Sequence, residues 1–131
     1  MSQSATHPGQ KRHLEPGPDH PITVRPHGRR VRVQYKGRVV ADSARALELK
    51  EASYPAVLYI PREDADMGAL RRTTHATHCP YKGDAAYYDV LVDGTTSANA
   101  VWSYEAPYPA VAQIRNHLAF YPDRVDKIEE L

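Results

Sequence analysis

The chain has 131 residues, 41% hydrophobic and 25% charged, which is ordinary for one globular domain. Its 17 Lys and Arg nearly balance its 16 Asp and Glu, so the formal charge of +1 gives no overall attraction to nucleic acid or anionic lipid. No apolar run approaches the roughly 18 residues of a membrane span, and the first residues lack a secretory signal. The single cysteine, Cys79, excludes an internal disulfide. We therefore expect a cytoplasmic protein with no nucleic-acid or membrane partner.

The N-terminal segment is rich in Pro, Gly and polar side chains, and Leu14 is its only large aliphatic residue besides Met1. Such a segment cannot bury enough apolar surface to offset the entropy that it would lose on ordering. We predict a disordered tail over residues 1–19 and a single domain over residues 20–131. Removal of residues 1–18 should then leave the melting temperature unchanged.

The first half of the domain is predicted to be extended. Residues 30–35 alternate strictly between apolar and polar side chains, which is typical of a half-buried strand, and Lys36 with Gly37 allows a hairpin turn after it. The six basic and no acidic residues between Arg25 and Arg38 indicate a solvated strand face, with nucleic-acid binding through this hairpin as a distant alternative. Residues 44–51 fit either a short helix or an extended connection. Strands are predicted over residues 22–24, 30–35, 38–41 and 56–60.

The second half repeats this pattern. Asp93 and Gly94 are a strong hairpin signal between two apolar runs, and Pro107 can start a helix that continues to about Asn116. One helical turn is expected near residues 66–70, and residues 124–131 form either a last strand or a tail. Strands are predicted over residues 86–92, 96–104 and 117–121. Many short antiparallel strands predict a mainly β fold with one or two short helices.

Candidate functional residues concentrate between Glu51 and Glu105, a stretch with six of the nine tyrosines and the only tryptophan. Aromatic walls with a few polar groups are typical of small-molecule pockets, although buried strand residues give the same pattern. The predicted ligand-binding residues are Tyr54, Cys79, Tyr87, Trp102 and Tyr104, and the predicted catalytic residues are Arg62, Glu63 and Lys82. We expect six of these to line one cavity, namely Tyr54, Arg62, Lys82, Tyr87, Trp102 and Tyr104.

The thiol of Cys79 is either a nucleophile or an inert, partly buried group. A nucleophile needs a histidine beside it, and His78 is a poor candidate because neighbours in an extended chain point to opposite faces. His75 or His117 would serve only if the fold brought one of them near. His75, His78 and Cys79 also offer metal ligands, but no fourth ligand follows at a suitable spacing. We therefore predict no metal and no cofactor.

Four ordered motifs resemble one known family. They are EASYP at residues 51–55, YIPRED at 59–64, CPYKGDA at 79–85 and WSYEAP at 102–107, and the later pair at 120–121 also fits. Over residues 20–125 the chain resembles the family called domain of unknown function 427. The resemblance implies a β-tent, in which two antiparallel sheets are joined at one end and splayed at the other around a pocket.

Two properties associated with this resemblance are not expected here. Proteins of similar architecture, such as the thalidomide-binding domain of cereblon and methionine sulfoxide reductase B, often bind zinc through two Cys-x-x-Cys pairs, and one cysteine excludes that site. The family is sometimes labelled a nucleotidyltransferase, but the sequence has no Gly-Ser phosphate loop, so this activity is not expected.

The sequence thus predicts a protein with a small-molecule-binding pocket. Such a protein could also be a small enzyme of unknown reaction. The alternative is a noncatalytic binding or protein-interaction module. The cationic groups of Arg62 and Lys82 make an anionic ligand one option. The oligomeric state stays open.

Overall fold

The computed structural model describes residues 11–131. The predicted mainly β fold is confirmed, since the regular structure of these residues consists of strands and short 3₁₀ turns. The strands are β1 (Ile22–Pro26), β2 (Val31–Tyr35), β3 (Arg38–Ser43), β4 (Leu47–Glu51), β5 (Val57–Pro61), β6 (Leu70–Cys79), β7 (Gly83–Val92), β8 (Thr95–Tyr104), β9 (His117–Phe120) and β10 (Lys127–Glu130). The 3₁₀ turns are Arg62–Asp64, Met67–Ala69, Pro109–Ile114 and Pro122–Arg124. Within the described part of the chain, no helix has the length and apolar character needed to cross a membrane.

The strands form two antiparallel sheets. One has seven strands in the order β1-β4-β5-β9-β8-β7-β6, and the other has three in the order β10-β2-β3. Within the large sheet, β5 and β9 are joined by only two residue pairs, Ile60 with Leu118 and Pro61 with His117. This short joint divides the large sheet into a first leaflet (β1, β4 and β5) and a second leaflet (β9, β8, β7 and β6). Toward Val57 the leaflets no longer pair.

One face of the large sheet carries the small sheet. Successive side chains of a strand point to opposite faces, and Val31, Val33 and Tyr35 of β2 are the buried members of that alternation. They pack against buried residues of the large sheet in a common core that includes Val40, Ile60, Tyr88, Val90, Val101, Leu118 and Phe120. Each fully buried Val, Ile or Leu stabilises the fold by about 1.5–3 kcal/mol relative to exposure.

The other face of the large sheet forms a second core, here called the inter-leaflet core. It joins Leu49 and Tyr59 of the first leaflet to Tyr87, Tyr104 and Ala119 of the second. Val111 and Ile114 of the turn Pro109–Ile114 are buried in the same cluster. The sheet therefore buries both of its faces, and the inter-leaflet core contains the greater number of aromatic side chains with polar atoms.

Four elements were left open, missed or wrongly predicted by the sequence interpretation. Residues 124–131, which were left open, contain the strand β10. Residues 44–51 contain the strand β4, because Leu47 and Leu49 share a face and pair with β1. The ten-residue strand β6 was not predicted. The helix expected from Pro107 to Asn116 is wrong: only the segment Pro109–Ile114 is helical, as two 3₁₀ turns that meet at a kink at Val111.

The predicted N-terminal tail lies partly outside the described residues, which begin at Lys11. The described part runs along the hairpin formed by β6 and β7. Leu14 N–H donates to the carbonyl of Pro80 at 2.8 Å, and the His13 ring stacks on Tyr108 with centroids 3.7 Å apart. Lys11 also pairs with a carboxylate of that hairpin, at 2.8 Å. These contacts were not expected from composition, and the domain boundary at residue 20 stays a prediction.

Candidate functional site

Aromatic side chains with polar tips dominate the inter-leaflet core. Trp102 Nε1 donates to the hydroxyl of Tyr59 at 3.2 Å, with the two rings edge to face at 6.3 Å. On its other side Trp102 contacts the ring of Tyr121 at 4.4 Å between centroids. The hydroxyl of Tyr87 lies 2.9 Å from Oγ1 of Thr77. These hydrogen bonds allow the polar tips to be buried at low cost.

Burial keeps three of these tyrosines neutral. It raises the pKa of Tyr59 and of Tyr104 above the usual value for a phenol. Burial, followed by hydrogen bonding to Tyr87, raises the pKa of Tyr121 to about 12. These hydroxyls are therefore uncharged at neutral pH, as any ordinary phenol is, and they stay uncharged further into alkaline pH than an exposed tyrosine.

One ion pair links the two leaflets away from the β5–β9 joint. Lys82, in the turn between β6 and β7, binds Oε1 of Glu51 at the end of β4, and both side chains are mostly buried. The second carboxylate oxygen of Glu51 lies 2.7 Å from Nε2 of His20, whose ring stacks on Tyr81 at 3.9 Å. Burial alone would raise the pKa of Glu51, but hydrogen bonds from Lys82 and His20 hold it below its usual value. The carboxylate is therefore ionised at neutral pH.

The backbone of the turn that contains Lys82 packs closely against residues 106–108. Gly83 has φ +112°, a conformation that side chains rarely adopt, and an added Cβ would lie 3.4 Å from the carbonyl oxygen of Ala106. The carbonyl of Lys82 accepts a hydrogen bond from Tyr108 N–H at 3.0 Å. The turn is thus fixed against the chain that follows β8.

A cleft opens where β5 and β9 stop pairing. Its volume is about 480 Å³, and Trp102 forms one wall. Its other lining residues come from both sheets and are Ala56, Val57, Leu58, Phe120, Pro122, Lys127, Ile128 and Glu130. We call it the Trp102 cleft. Trp102 and Val57 also contact the inter-leaflet core, so the cleft borders the aromatic cluster.

The six residues predicted to line one cavity are divided by the structure. Tyr87, Trp102 and Tyr104 lie on the inter-leaflet face, and Lys82 Nζ is 5.9 Å from the Tyr104 ring centroid. These four therefore lie on the same side of the sheet, although only Trp102 lines the Trp102 cleft.

Two predicted members lie elsewhere. Arg62 donates to the hydroxyl of Tyr88 at 2.9 Å, and Tyr88 belongs to the opposite core because it alternates with Tyr87 along β7. Arg62 and its neighbour Glu63 line a separate cleft. Tyr54 is 60% exposed in the turn after β4. The single cavity is therefore a wrong prediction, whereas the roles of the individual residues stay predictions.

Cys79 has no catalytic partner of the expected kind among residues 11–131. The thiol is partly buried against the inter-leaflet core and is free. His78 binds Asp84 through Nδ1 at 2.7 Å and the carbonyl of Arg12 through Nε2 at 2.6 Å, so both of its nitrogens are occupied. His75 lies against the ring of Tyr87 at 4.4 Å. In the described chain, no three His, Cys, Asp or Glu residues are grouped so that they could hold a metal ion.

Some residues of the inter-leaflet face were not singled out from the sequence. Glu51 is two residues from Leu49 and four from Leu47 on β4, so its side chain points to the same, inward face. This spacing could have identified Glu51 from the sequence. His20 lies before the first strand, where no periodicity predicts an orientation. Tyr121 follows β9 with the same parity as the buried Ala119.

Comparison with known proteins gives one positive result. A family model described as Domain of unknown function (DUF427) matches residues 23–131. No curated protein matches the chain. The matched region contains β2 to β10 in full, β1 from its second residue, and all four sequence motifs. The chain therefore belongs to the DUF427 family.

Proposed function

We propose that this protein binds a small organic molecule in the Trp102 cleft, and that it acts as a binding protein rather than as an enzyme. The observation that carries the proposal is the opening between the leaflets, with a volume of about 480 Å³. Ligand pockets typically have volumes of about 300–1,000 Å³ and mostly apolar walls with few polar groups. The cleft has both properties.

The lining residues support an apolar or aromatic ligand. Leu58, Phe120 and Ile128 provide apolar surface, and the partly buried Trp102 adds a flat ring. Because the indole N–H already donates to Tyr59, Trp102 would contact a ligand through its carbon surface. Lys127 at the rim is half-exposed and lies 3.7 Å from Glu129, and Glu130 also lines the cleft, so the charges of the rim oppose each other and the apolar walls carry the proposal.

Binding without catalysis is supported by the position of the ionisable groups. Neither Arg62 nor Glu63 lines the Trp102 cleft, and the amine of Lys82 is engaged by Glu51. General acid–base catalysis requires a titratable group within hydrogen-bond reach of the ligand, and the two titratable residues that line the cleft, Lys127 and Glu130, are each paired with another residue, Glu129 and His27 respectively. A cytoplasmic location is part of the same proposal, since Cys79 is a free thiol.

A dye titration tests the proposal. The probe is 1-anilinonaphthalene-8-sulfonate, which combines an aromatic body with one anionic group. Trp102 is the only tryptophan, so quenching of its emission by energy transfer reports dye bound close to the cleft. Ala56→Phe places a ring in the cleft, and Ala98→Phe, at an exposed position of β8, is the matched control.

We expect saturable quenching at a single site in the wild type and in Ala98→Phe, and at least tenfold weaker binding in Ala56→Phe. Circular dichroism and melting temperatures of the three proteins verify that each is folded. Equal dye affinity in all three folded proteins would contradict the proposal.

A further inference from the structure

A second cleft lies at the closed end of the β5–β9 joint, where arginine side chains converge. Pro61 pairs with His117, so Arg62, which follows β5, and Arg115, which precedes β9, come to the same edge of the sheet. The cleft has a volume of about 730 Å³. Its lining residues are Arg45, Pro61, Arg62, Glu63, Ala65, Met67, Arg115, Asn116 and His117. None of them lines the Trp102 cleft.

The charges of this arginine cleft do not balance. Arg45 lies 3.1 Å from Asp64 and 3.8 Å from Glu63, so its charge is compensated. A hydrogen bond from Ser43 lowers the pKa of Asp64. Burial acts in the opposite direction, but Arg45 lowers the pKa further, so Asp64 stays ionised. Within residues 11–131, neither Arg62 nor Arg115 has a carboxylate within ion-pair distance. Three arginines therefore stand against two carboxylates here, and the excess positive charge lies on Arg62 and Arg115, which have no ion-pair partner of their own in the described chain.

Arg62 is held in place by a neutral partner. One of its terminal nitrogens donates to the hydroxyl of Tyr88 at 2.9 Å, and its guanidinium carbon lies 5.7 Å from the centre of that ring. Tyr88 is buried and in turn donates to Glu105 at 3.2 Å. A guanidinium has five N–H donors, so this anchor leaves several of them for an acceptor. The positive charge is thus fixed in position without being neutralised.

We propose that the arginine cleft binds a small organic molecule with two negative charges, through Arg62 and Arg115. A phosphate monoester carries about −1.5 to −2 at pH 7, and a dicarboxylate carries a similar charge. Planar guanidinium groups bind either kind of oxyanion with paired hydrogen bonds. Pro61, Ala65 and Met67 add apolar surface, which selects a ligand with a carbon body over a bare inorganic ion.

Calorimetric titration with phenyl phosphate tests the site, with succinate as the dicarboxylate and phenol as the uncharged analogue. The variants are Arg62→Gln, Arg115→Gln and Arg45→Gln, and the control is Arg25→Gln, whose side chain is exposed and pairs with Glu48 on β4. Arg62→Lys retains the charge without the planar fork. Melting temperatures identify any variant that fails to fold.

We expect at least one dianion to bind and phenol not to bind. Arg62→Gln and Arg115→Gln should each weaken dianion binding at least tenfold, Arg45→Gln less than threefold, and Arg25→Gln not at all. Arg62→Lys should fall between the wild type and Arg62→Gln. Stronger binding of phenyl phosphate identifies a phosphate site, and stronger binding of succinate identifies a dicarboxylate site. Absence of binding by both anions, or equal losses in all four glutamine variants, overturns the proposal.

Discussion

The ion pair between Lys82 and Glu51 offers the sharpest test of how the leaflets are held together. Its side chains are 10% and 14% exposed, so each charge has lost most of its water. Removing one partner from a buried pair costs about 3–5 kcal/mol, because the other charge is left uncompensated. His20 still contacts Glu51 when Lys82 is absent, which places Lys82→Met at the low end, about 3 kcal/mol.

The double variant separates the interaction between the two charges from the cost of burying one charge alone. Lys82→Met combined with Glu51→Leu replaces both charges with apolar groups of similar volume, and such replacements are often neutral or stabilising. We predict that Lys82→Met loses about 3 kcal/mol, which is about 12 °C in melting temperature at about 4 °C per kcal/mol, and that Glu51→Leu, which leaves Lys82 without a carboxylate, loses about 3–5 kcal/mol. The double variant should lie within about 1 kcal/mol of the wild type.

Urea denaturation followed by Trp102 fluorescence measures these free energies of unfolding, since Trp102 is the only tryptophan. Glu51 adds a pH dependence with a definite sign. Its pKa in the folded protein is below the usual 4.5, so the stability that it contributes is present above that value and is lost as the pH falls through the folded pKa. Glu51→Leu should lose this dependence. Additive losses in the double variant, or single losses under about 1 kcal/mol, would refute the reasoning.

The remaining predictions concern other contacts. Tyr59→Phe removes the acceptor of the Trp102 N–H and should cost about 1 kcal/mol in urea denaturation. Deleting residues 1–18 should lower the melting temperature by about 4–8 °C, because His13 and Leu14 contact Tyr108 and the β6–β7 hairpin. An unchanged melting temperature would instead support the expectation from composition that this segment is dispensable. In an alkaline ultraviolet titration, Tyr121 should ionise near pH 12, and Tyr104 should ionise only when the protein unfolds. A raised pKa in the folded protein contributes stability that is fully present below the usual pKa of 10.0. This stability is lost as the pH rises through the pKa of the folded protein. Ionisation of all nine tyrosines near pH 10.0 would contradict the burial of these hydroxyls.

The strands with one buried face could be predicted from the sequence because their side chains alternate. Val31, Val33 and Tyr35 mark the inner face of β2, and the turn at Asp93 and Gly94 marks the β7–β8 hairpin. The strand β6 lacked this signal: as an edge strand it exposes polar side chains on both faces, so its sequence has no apolar period. In β4, glutamate, lysine and leucine are good helix formers, and only pairing with β1 and β5 makes the segment extended.

The candidate site was only partly predictable. The alternation of side chains along a strand shows which residues share a face, but it does not show which leaflets approach each other. Trp102 and Tyr104 share a face as expected from their spacing, and Tyr87, rather than Tyr88, joins them. Arg62 was separated from this group because it follows the joint at Pro61 and turns toward the opposite core. The contact between Lys82 and Glu51 depends on the leaflets approaching each other, which no local pattern in the sequence records.

Ligand binding in the Trp102 cleft is tested most directly by two-dimensional ¹H–¹⁵N nuclear magnetic resonance. The single tryptophan gives one indole N–H signal, which belongs to a donor hydrogen-bonded to Tyr59. On addition of 1-anilinonaphthalene-8-sulfonate, we predict that this signal shifts together with the backbone signals of Leu58, Phe120 and Ile128. Saturation of the protein with dye while these four signals stay unchanged would contradict the account.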